Sequence, residues 1–82
     1  MIKFTLGVYA RYRKSVKNEL CCVVLDPNTF DMKPALFGTV KRWLDDLNID
    51  YSLNWRDSPQ LLYAEISFNN PNQAMLFKLT WL

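Results

Sequence analysis

Three segments of this chain alternate apolar and polar side chains at every second residue, which is the pattern of a strand with one buried face. They are residues 2–12, 50–56 and 61–68, and the Asp-Ser-Pro turn between the last two predicts a hairpin. Residues 19–26 are apolar without alternation, which is typical of a central strand covered on both faces. The chain is therefore expected to build a sheet of four strands.

A helical pattern follows the proline-containing stop at residues 26–28. Asp31 is expected to cap this helix, with Pro34 in its first turn and Asn48 at its end. Its apolar stripe consists of Leu36, Phe37, Val40, Trp43, Leu44 and Leu47. Gly38 falls inside the helix and should weaken it by about 1 kcal/mol relative to Ala.

A second helix is predicted from Asn70, which can cap it, and from the proline that follows. The side chains expected to face inward are Ala74, Leu76, Phe77 and Trp81. A rival interpretation makes residues 76–82 a strand, because Phe77, Leu79 and Trp81 also alternate. The cap favours the helix.

These elements predict one α+β domain over residues 1–82 with the order ββαββα. The expected architecture is a four-stranded, mainly antiparallel sheet with two helices packed on one face. A chain of 82 residues has little core to spare, but half of its residues are apolar and 15% are aromatic, which is enough to build one.

The composition excludes the commonest enzyme sites. There is no histidine, so a Ser–His–Asp triad, a Cys–His dyad and a histidine-bearing zinc site are all excluded. The only glycines are Gly7 and Gly38, which leaves no glycine-rich phosphate loop. Asp45, Asp46 and Asp57 are interpreted as solvated surface charges, because adjacent carboxylates diverge by about 100° on a helix. We expect a protein that is not an enzyme, with no catalytic residues, cofactor or metal.

The compartment is expected to be the cytoplasm. No stretch approaches the ~20 apolar residues of a membrane span, and no signal peptide is evident. Cys21 and Cys22 are adjacent, so on a strand they point to opposite faces and cannot form a disulfide framework. They are interpreted as small buried hydrophobic residues.

Charge is distributed unevenly along the chain and marks two candidate contact surfaces. Residues 1–42 carry a net charge of +5 and residues 43–82 carry −3. One candidate surface is the sheet face opposite the helices, and the other is the basic turn that follows the first strand. The residues predicted to bind a partner are Tyr9, Arg11, Arg13, Lys14, Lys17, Arg56 and Tyr63.

Three kinds of partner fit these surfaces. The first is a protein, with tyrosine and arginine side chains as anchors. The second is RNA or single-stranded DNA, whose bases stack on tyrosines while cations contact the phosphates. The third is a second copy of the chain, held through exposed aromatic residues or an edge strand. An ordinary solvated sheet face and turn is the alternative to all three.

The closing segment resembles the C-terminal ends of small accessory proteins of tailed bacteriophages. The matching residues are Phe68, Pro71, Ala74, Met75, Leu76, Phe77, Lys78, Leu79 and Trp81. The resemblance implies a host-takeover or anti-defence protein that acts in an infected bacterium by binding and blocking a host or defence-system protein. It supplies no functional residues, because the matching positions look like core. The leading hypothesis is therefore a phage-encoded steric inhibitor or modulator that is not an enzyme.

Overall fold

Residues 1–9, 18–56 and 63–82 are described by the computed structural model, and within them lie five strands and two helices. In chain order the elements are β1 (Ile2–Tyr9), β2 (Glu19–Leu25), β3 (Met32–Leu36), α1 (Gly38–Asp46), β4 (Tyr51–Trp55), β5 (Tyr63–Phe68) and α2 (Pro71–Trp81). The strands form one sheet in the order β3-β2-β1-β5-β4. β1 and β2 run parallel and the other neighbours are antiparallel, so the sheet is mixed. It curls until it is nearly closed, like a barrel.

The predicted four-stranded, mainly antiparallel ββαββα fold is wrong. Residues 32–36 form the edge strand β3, which pairs with β2, and they are not the first turn of a helix. The ambiguity comes from Pro34, because proline suits both the first turn of a helix and an edge strand, where its missing N–H is not needed. Asp31 lies in the turn before β3, where its carbonyl oxygen accepts a hydrogen bond from the Asp26 amide at 2.9 Å.

The first helix is consequently shorter than predicted and begins at Gly38. Phe37 occupies its N-cap position and makes no capping hydrogen bond with its side chain. The predicted end at Asn48 is confirmed, since this residue has a φ of 53° and its amide donates to the Asp45 carbonyl at 3.1 Å. Asparagine tolerates this left-handed conformation better than most residues do.

The alternating strands bury the faces that the sequence predicts. Leu6 and Val8 of β1 are fully buried, and Ala64, Ile66 and Phe68 of β5 face the same core. β4 pairs antiparallel with β5, so the predicted hairpin is confirmed for the described residues. The buried side chains that complete the core are Cys21, Leu36, Val40, Leu44, Ile49, Ala74 and Phe77.

α2 is a helix, as the cap predicts, and the rival strand interpretation is wrong. The Asn70 side-chain oxygen accepts hydrogen bonds from the amides of Asn72 and Gln73 at 2.9 and 3.3 Å. The Phe77 ring packs against Phe68, with ring centres 5.2 Å apart, and so docks the helix on the sheet. Of the positions predicted to face inward, Leu76 does not, because 46% of it is exposed.

Candidate functional site

The sheet face predicted to bind a partner is only partly formed by the predicted residues. Arg56 follows β4, and its guanidinium donates a hydrogen bond to the Thr5 hydroxyl at 3.3 Å, while its amide donates to the Tyr63 carbonyl at 3.1 Å. Tyr9 is exposed, but its ring lies against Phe37, with centres 6.5 Å apart. Arg11, Arg13, Lys14 and Lys17, the basic turn, lie outside the described residues.

A carboxylate occupies the middle of this face. Glu65 pairs across the sheet with Thr5 on one side and Asn54 on the other. Its side chain forms an ion pair with Lys3, with 3.5 Å between Nζ and Oε1. A negative charge in that position repels a phosphate backbone and neutralises one of the cations that would attract it.

A different surface presents more apolar area to solvent. We define the hairpin tip as residues 25–32, the turn and flanking residues that join β2 to β3. Phe30 is 76% exposed, and the paired residues Leu25 and Met32 at the base of the tip are 54% and 56% exposed. Large apolar side chains clustered on a small domain mark a surface that contacts another molecule.

The backbone of Phe30 is held in a conformation that bulky side chains avoid. Its φ is 59°, in the left-handed region, which costs roughly 1–2 kcal/mol for a residue with a Cβ. The conformation is fixed by the turn, because the Phe30 amide donates to the Asp26 carbonyl at 2.8 Å. A glycine or asparagine would be the ordinary occupant of this position. A strained, exposed aromatic residue is thus a reason to suspect function.

Asp26 organises the turn through its side chain. Its Oδ1 accepts a hydrogen bond from the Asn28 amide at 2.9 Å, and its Oδ2 lies 3.8 Å from the Lys33 Nζ. The Asn28 amide is the main cause that holds the pKa of the Asp26 carboxyl below its usual value, and the Lys33 charge adds to it. Asp31 forms no ion pair among the described residues, so the tip carries a net negative charge.

The tip is also fixed at its base. The indole Nε1 of Trp55, at the end of β4, donates a hydrogen bond to the Met32 carbonyl oxygen at 3.1 Å. This bond reaches from one edge strand of the sheet to the other. The apolar tip therefore projects from a rigid support, which lowers the entropy lost when it binds.

The hairpin tip was not predicted, because the sequence pattern indicates a loop and the start of a helix at these residues. The signal that could have found it is Phe30 itself, a large aromatic residue among the turn formers Pro27, Asn28 and Thr29. Residues of that type are the ordinary content of an exposed turn, whereas a phenylalanine is not.

The remaining chemically active groups do not converge on the tip. Cys21 is fully buried, and burial together with the neighbouring Cys22 raises the pKa of its thiol to about 12. Cys22 is half-buried, so only Cys21 fits the predicted role of a buried hydrophobic residue. Among the residues described, no three Cys, Asp or Glu side chains lie close enough to hold a metal ion.

The predicted surface carboxylates of α1 are exposed. Asp45 forms an ion pair with Lys41 one turn away, with 3.9 Å between Nζ and Oδ2, and Asp46 lines a shallow groove of about 410 Å³ along the helix. Arg42 and Trp43 line the same groove. Asp57 lies outside the described residues.

Comparison of the chain with protein-family models, curated proteins and solved structures finds no match. In the described part of the chain, neither helix is long and apolar enough to cross a membrane.

Proposed function

We propose that this chain is a protein-binding module, not an enzyme, that inserts its hairpin tip into an apolar pocket of a partner protein. The observation that carries the proposal is Phe30, which is three-quarters exposed while its backbone is strained. Folding alone would favour another residue there, since a glycine would relieve the strain and give up only the small buried part of the ring. The phenylalanine is explained if it anchors a partner.

The surroundings of Phe30 define the kind of partner. Leu25 and Met32, paired at the base of the tip, are exposed apolar residues like Phe30, and Asp26 and Asp31 are the acidic residues of the same tip. An apolar centre with a charged rim is the usual anatomy of a protein interface. The complementary surface is an apolar pocket with basic groups at its edge.

The narrower hypothesis is a phage-encoded inhibitor that blocks a host or defence-system protein in the bacterial cytoplasm. It depends on the C-terminal resemblance, and it stays a prediction. The tip suits steric inhibition, because a rigid protrusion seated in a pocket excludes the pocket's own ligand. The identity of a bound protein tests this hypothesis directly.

The decisive variant is Phe30→Gly, because it separates binding from folding. We expect its free energy of unfolding to rise by about 1 kcal/mol, since the left-handed strain is relieved. We expect partner affinity to fall by about thirtyfold or more, as for the loss of a central aromatic anchor. Denaturant unfolding measures the first quantity, and comparative affinity capture from bacterial lysate, quantified by mass spectrometry, measures the second.

Matched variants distinguish the two candidate binding surfaces, the hairpin tip and the sheet face. Arg56→Ala and Tyr63→Ala alter the sheet face and leave the tip intact, so a protein bound through the tip is retained by both. A protein retained by Phe30→Gly but lost with either sheet variant would move the site to the sheet face. Capture that disappears after nuclease treatment would instead support the nucleic-acid hypothesis. A drop in the stability of Phe30→Gly would show that the phenylalanine is structural and would remove the basis of the proposal.

A further inference from the structure

The two edge strands of the sheet, β3 and β4, face each other along a line that we call the seam, formed by residues 32–36 and 51–55. All neighbouring strands inside the sheet are joined by main-chain pairing. Across the seam, by contrast, the described residues form no main-chain hydrogen bond, and the indole of Trp55 supplies the side-chain bond that crosses it. The seam is therefore the weakest connection around the sheet.

The direction of the main-chain groups of β3 shows why pairing fails at the seam. In an antiparallel strand, the N–H and C=O groups of one residue point to the same edge, and successive residues alternate between the two edges. The Phe37 amide donates to the Leu20 carbonyl at the β2 side at 2.9 Å, whereas the Met32 carbonyl accepts from Trp55 at the β4 side. The odd-numbered residues of β3 therefore face β2, and its even-numbered residues face the seam.

Pro34 consequently lies in the middle of the seam-facing row of β3. Proline has no N–H to donate, and its ring occupies the position from which a donor would reach a partner strand. A proline there leaves the pairing with β2 intact, which is why prolines are tolerated in edge strands. The same proline removes the central main-chain donor of the seam.

The facing row of β4 carries both donors and acceptors. The Arg56 amide donates to β5 at 3.1 Å, so the odd-numbered residues of β4 face the seam with their N–H and C=O groups. β3 and β4 run in opposite directions, and a pairing with Trp55 opposite Met32 would set Leu53 opposite Pro34. The Leu53 carbonyl then faces the seam residue that cannot donate to it.

We propose that the seam is a conformational gate that opens without unfolding the rest of the sheet. The Trp55 indole is its latch, and Pro34 is the residue that prevents permanent closure by main-chain pairing. The closed state dominates, so the hairpin tip stays supported, and the open state is a local opening with a lower free energy than global unfolding. The gate does not depend on what the hairpin tip binds.

The thiol of Cys21 is a built-in probe of this opening. Its side chain is fully buried, and it pairs with Leu36 of β3, one strand in from the seam. A thiol reagent reaches it only when the core is exposed. Opening of the gate exposes less surface than global unfolding does, so modification through the gate should depend only weakly on urea.

The first test is the rate of Cys21 modification in a Cys22→Ser background, measured from 0 to about 1 M urea. We expect a rate that is nearly constant over this range and exceeds the rate that global unfolding allows. Trp55→Phe removes the latch bond and should raise the rate in the absence of urea by about fivefold.

Asn70→Ala is the matched control for Trp55→Phe. It removes the cap of α2, weakens the fold by a similar amount and changes neither seam strand. The rate of Cys21 modification without urea should therefore stay unchanged. Equal acceleration by Trp55→Phe and Asn70→Ala overturns the proposal, and so does a rate that follows global unfolding at every urea concentration.

A second pair of variants tests the role of Pro34. Pro34→Val supplies the missing donor, so we expect Cys21 modification to slow by about tenfold and the Leu53 amide to exchange its hydrogen more slowly. Ala35→Val introduces the same side chain at the next residue, whose amide already faces β2, and should change neither rate. Equal effects of the two valine substitutions would contradict the role given to Pro34. The comparison of Trp55→Phe with Asn70→Ala keeps the native proline, so it decides the proposal even if Pro34→Val does not fold.

Discussion

The indole N–H of Trp55 donates a hydrogen bond to the Met32 carbonyl oxygen at 3.1 Å and so joins β4 to β3, the two edge strands of the sheet. Exposed edges invite pairing with other chains. Here the curvature of the sheet brings the two edges together, and one side chain spans them. The same bond holds the base of the hairpin tip, so it connects the closure of the fold to the proposed binding surface.

Replacing Trp55 with phenylalanine should lower the free energy of unfolding by about 1 kcal/mol, the usual net value of a lost hydrogen bond. Urea unfolding followed by circular dichroism measures the change. The Met32 amide and its neighbours should also exchange their hydrogens faster, because the edge of β3 loses its connection to β4.

Trp81→Phe is the matched control for Trp55→Phe. The Trp81 Nε1 is buried and has no hydrogen-bond acceptor among the described residues, so its removal relieves a cost of about 1–3 kcal/mol. That gain offsets the lost contact with Trp43, whose ring centre lies 6.1 Å away. We expect a stability within about 1 kcal/mol of the native chain. A larger loss for Trp81→Phe than for Trp55→Phe would contradict this account.

Periodicity predicted the elements that depend on local sequence. The alternation in β1, β4 and β5 predicts strands, and the Asn70 cap favours a helix over the rival strand at residues 76–82. The structure confirms each of these predictions over the residues that it describes. Residues 31–37 do not point to a single structure. Their apolar side chains suit a strand or a helix, and Pro34 suits the start of either. These residues form a strand because they pair with β2. The spacing of apolar residues along the chain does not predict which segments pair with each other.

The candidate site was harder to predict because it depends on exposure and backbone strain. The sequence suggested tyrosines and arginines, which are enriched at interfaces, and lysines, which attract phosphates or an acidic protein surface. Neither the left-handed conformation of Phe30 nor the solvent-facing side of α2 follows from residue type.

Gly38→Ala should stabilise the chain. Gly38 is the first residue of α1, its φ is not positive, and apart from its chain neighbours and the backbone of its own helix no described atom lies within 4 Å of the position that a Cβ would take. Alanine at this position lowers the conformational entropy of the unfolded chain and causes no strain in the folded one. This should raise the free energy of unfolding by about 0.4–1 kcal/mol. Thermal unfolding checks this. An unchanged or lower midpoint would show that something approaches Gly38 closely, contrary to the open space around it.

The Cys21 thiol should make stability fall in alkaline solution. Its pKa is about 12 in the folded chain and 9.0 in its ordinary state, so above pH 9 the unfolded chain releases the proton first. The stabilisation that comes from keeping the Cys21 thiol protonated is complete below pH 9. It declines as the pH rises toward 12, by at most about 1.4 kcal/mol per pH unit.

The control for this pH dependence is Cys21→Ala, which lacks the thiol. The difference in unfolding free energy between the native chain and this variant should shrink between pH 9 and 11. Tyr51 is common to both chains, so its own raised pKa does not contribute to the difference. A difference that stays constant would mean that the Cys21 thiol is not protected by burial. In the native chain, a thiol reagent should modify Cys22 before Cys21, since Cys21 has no exposed surface.

Asp26 should stabilise the hairpin tip more through its hydrogen bond than through its charge. The hydrogen bond from the Asn28 amide is the main cause that lowers the pKa of the Asp26 carboxyl in the folded chain. The stabilisation by the Asp26 carboxylate is therefore fully present above pH 3.8, the ordinary pKa, and is lost as the pH falls through the lowered pKa of the folded chain. Asp26→Asn keeps an oxygen that can accept from the Asn28 amide and removes the attraction to Lys33. Asp26→Ala removes both interactions. We therefore expect Asp26→Ala to lower the unfolding temperature more than Asp26→Asn at pH 7, and equal losses would show that the ion pair, not the hydrogen bond, dominates.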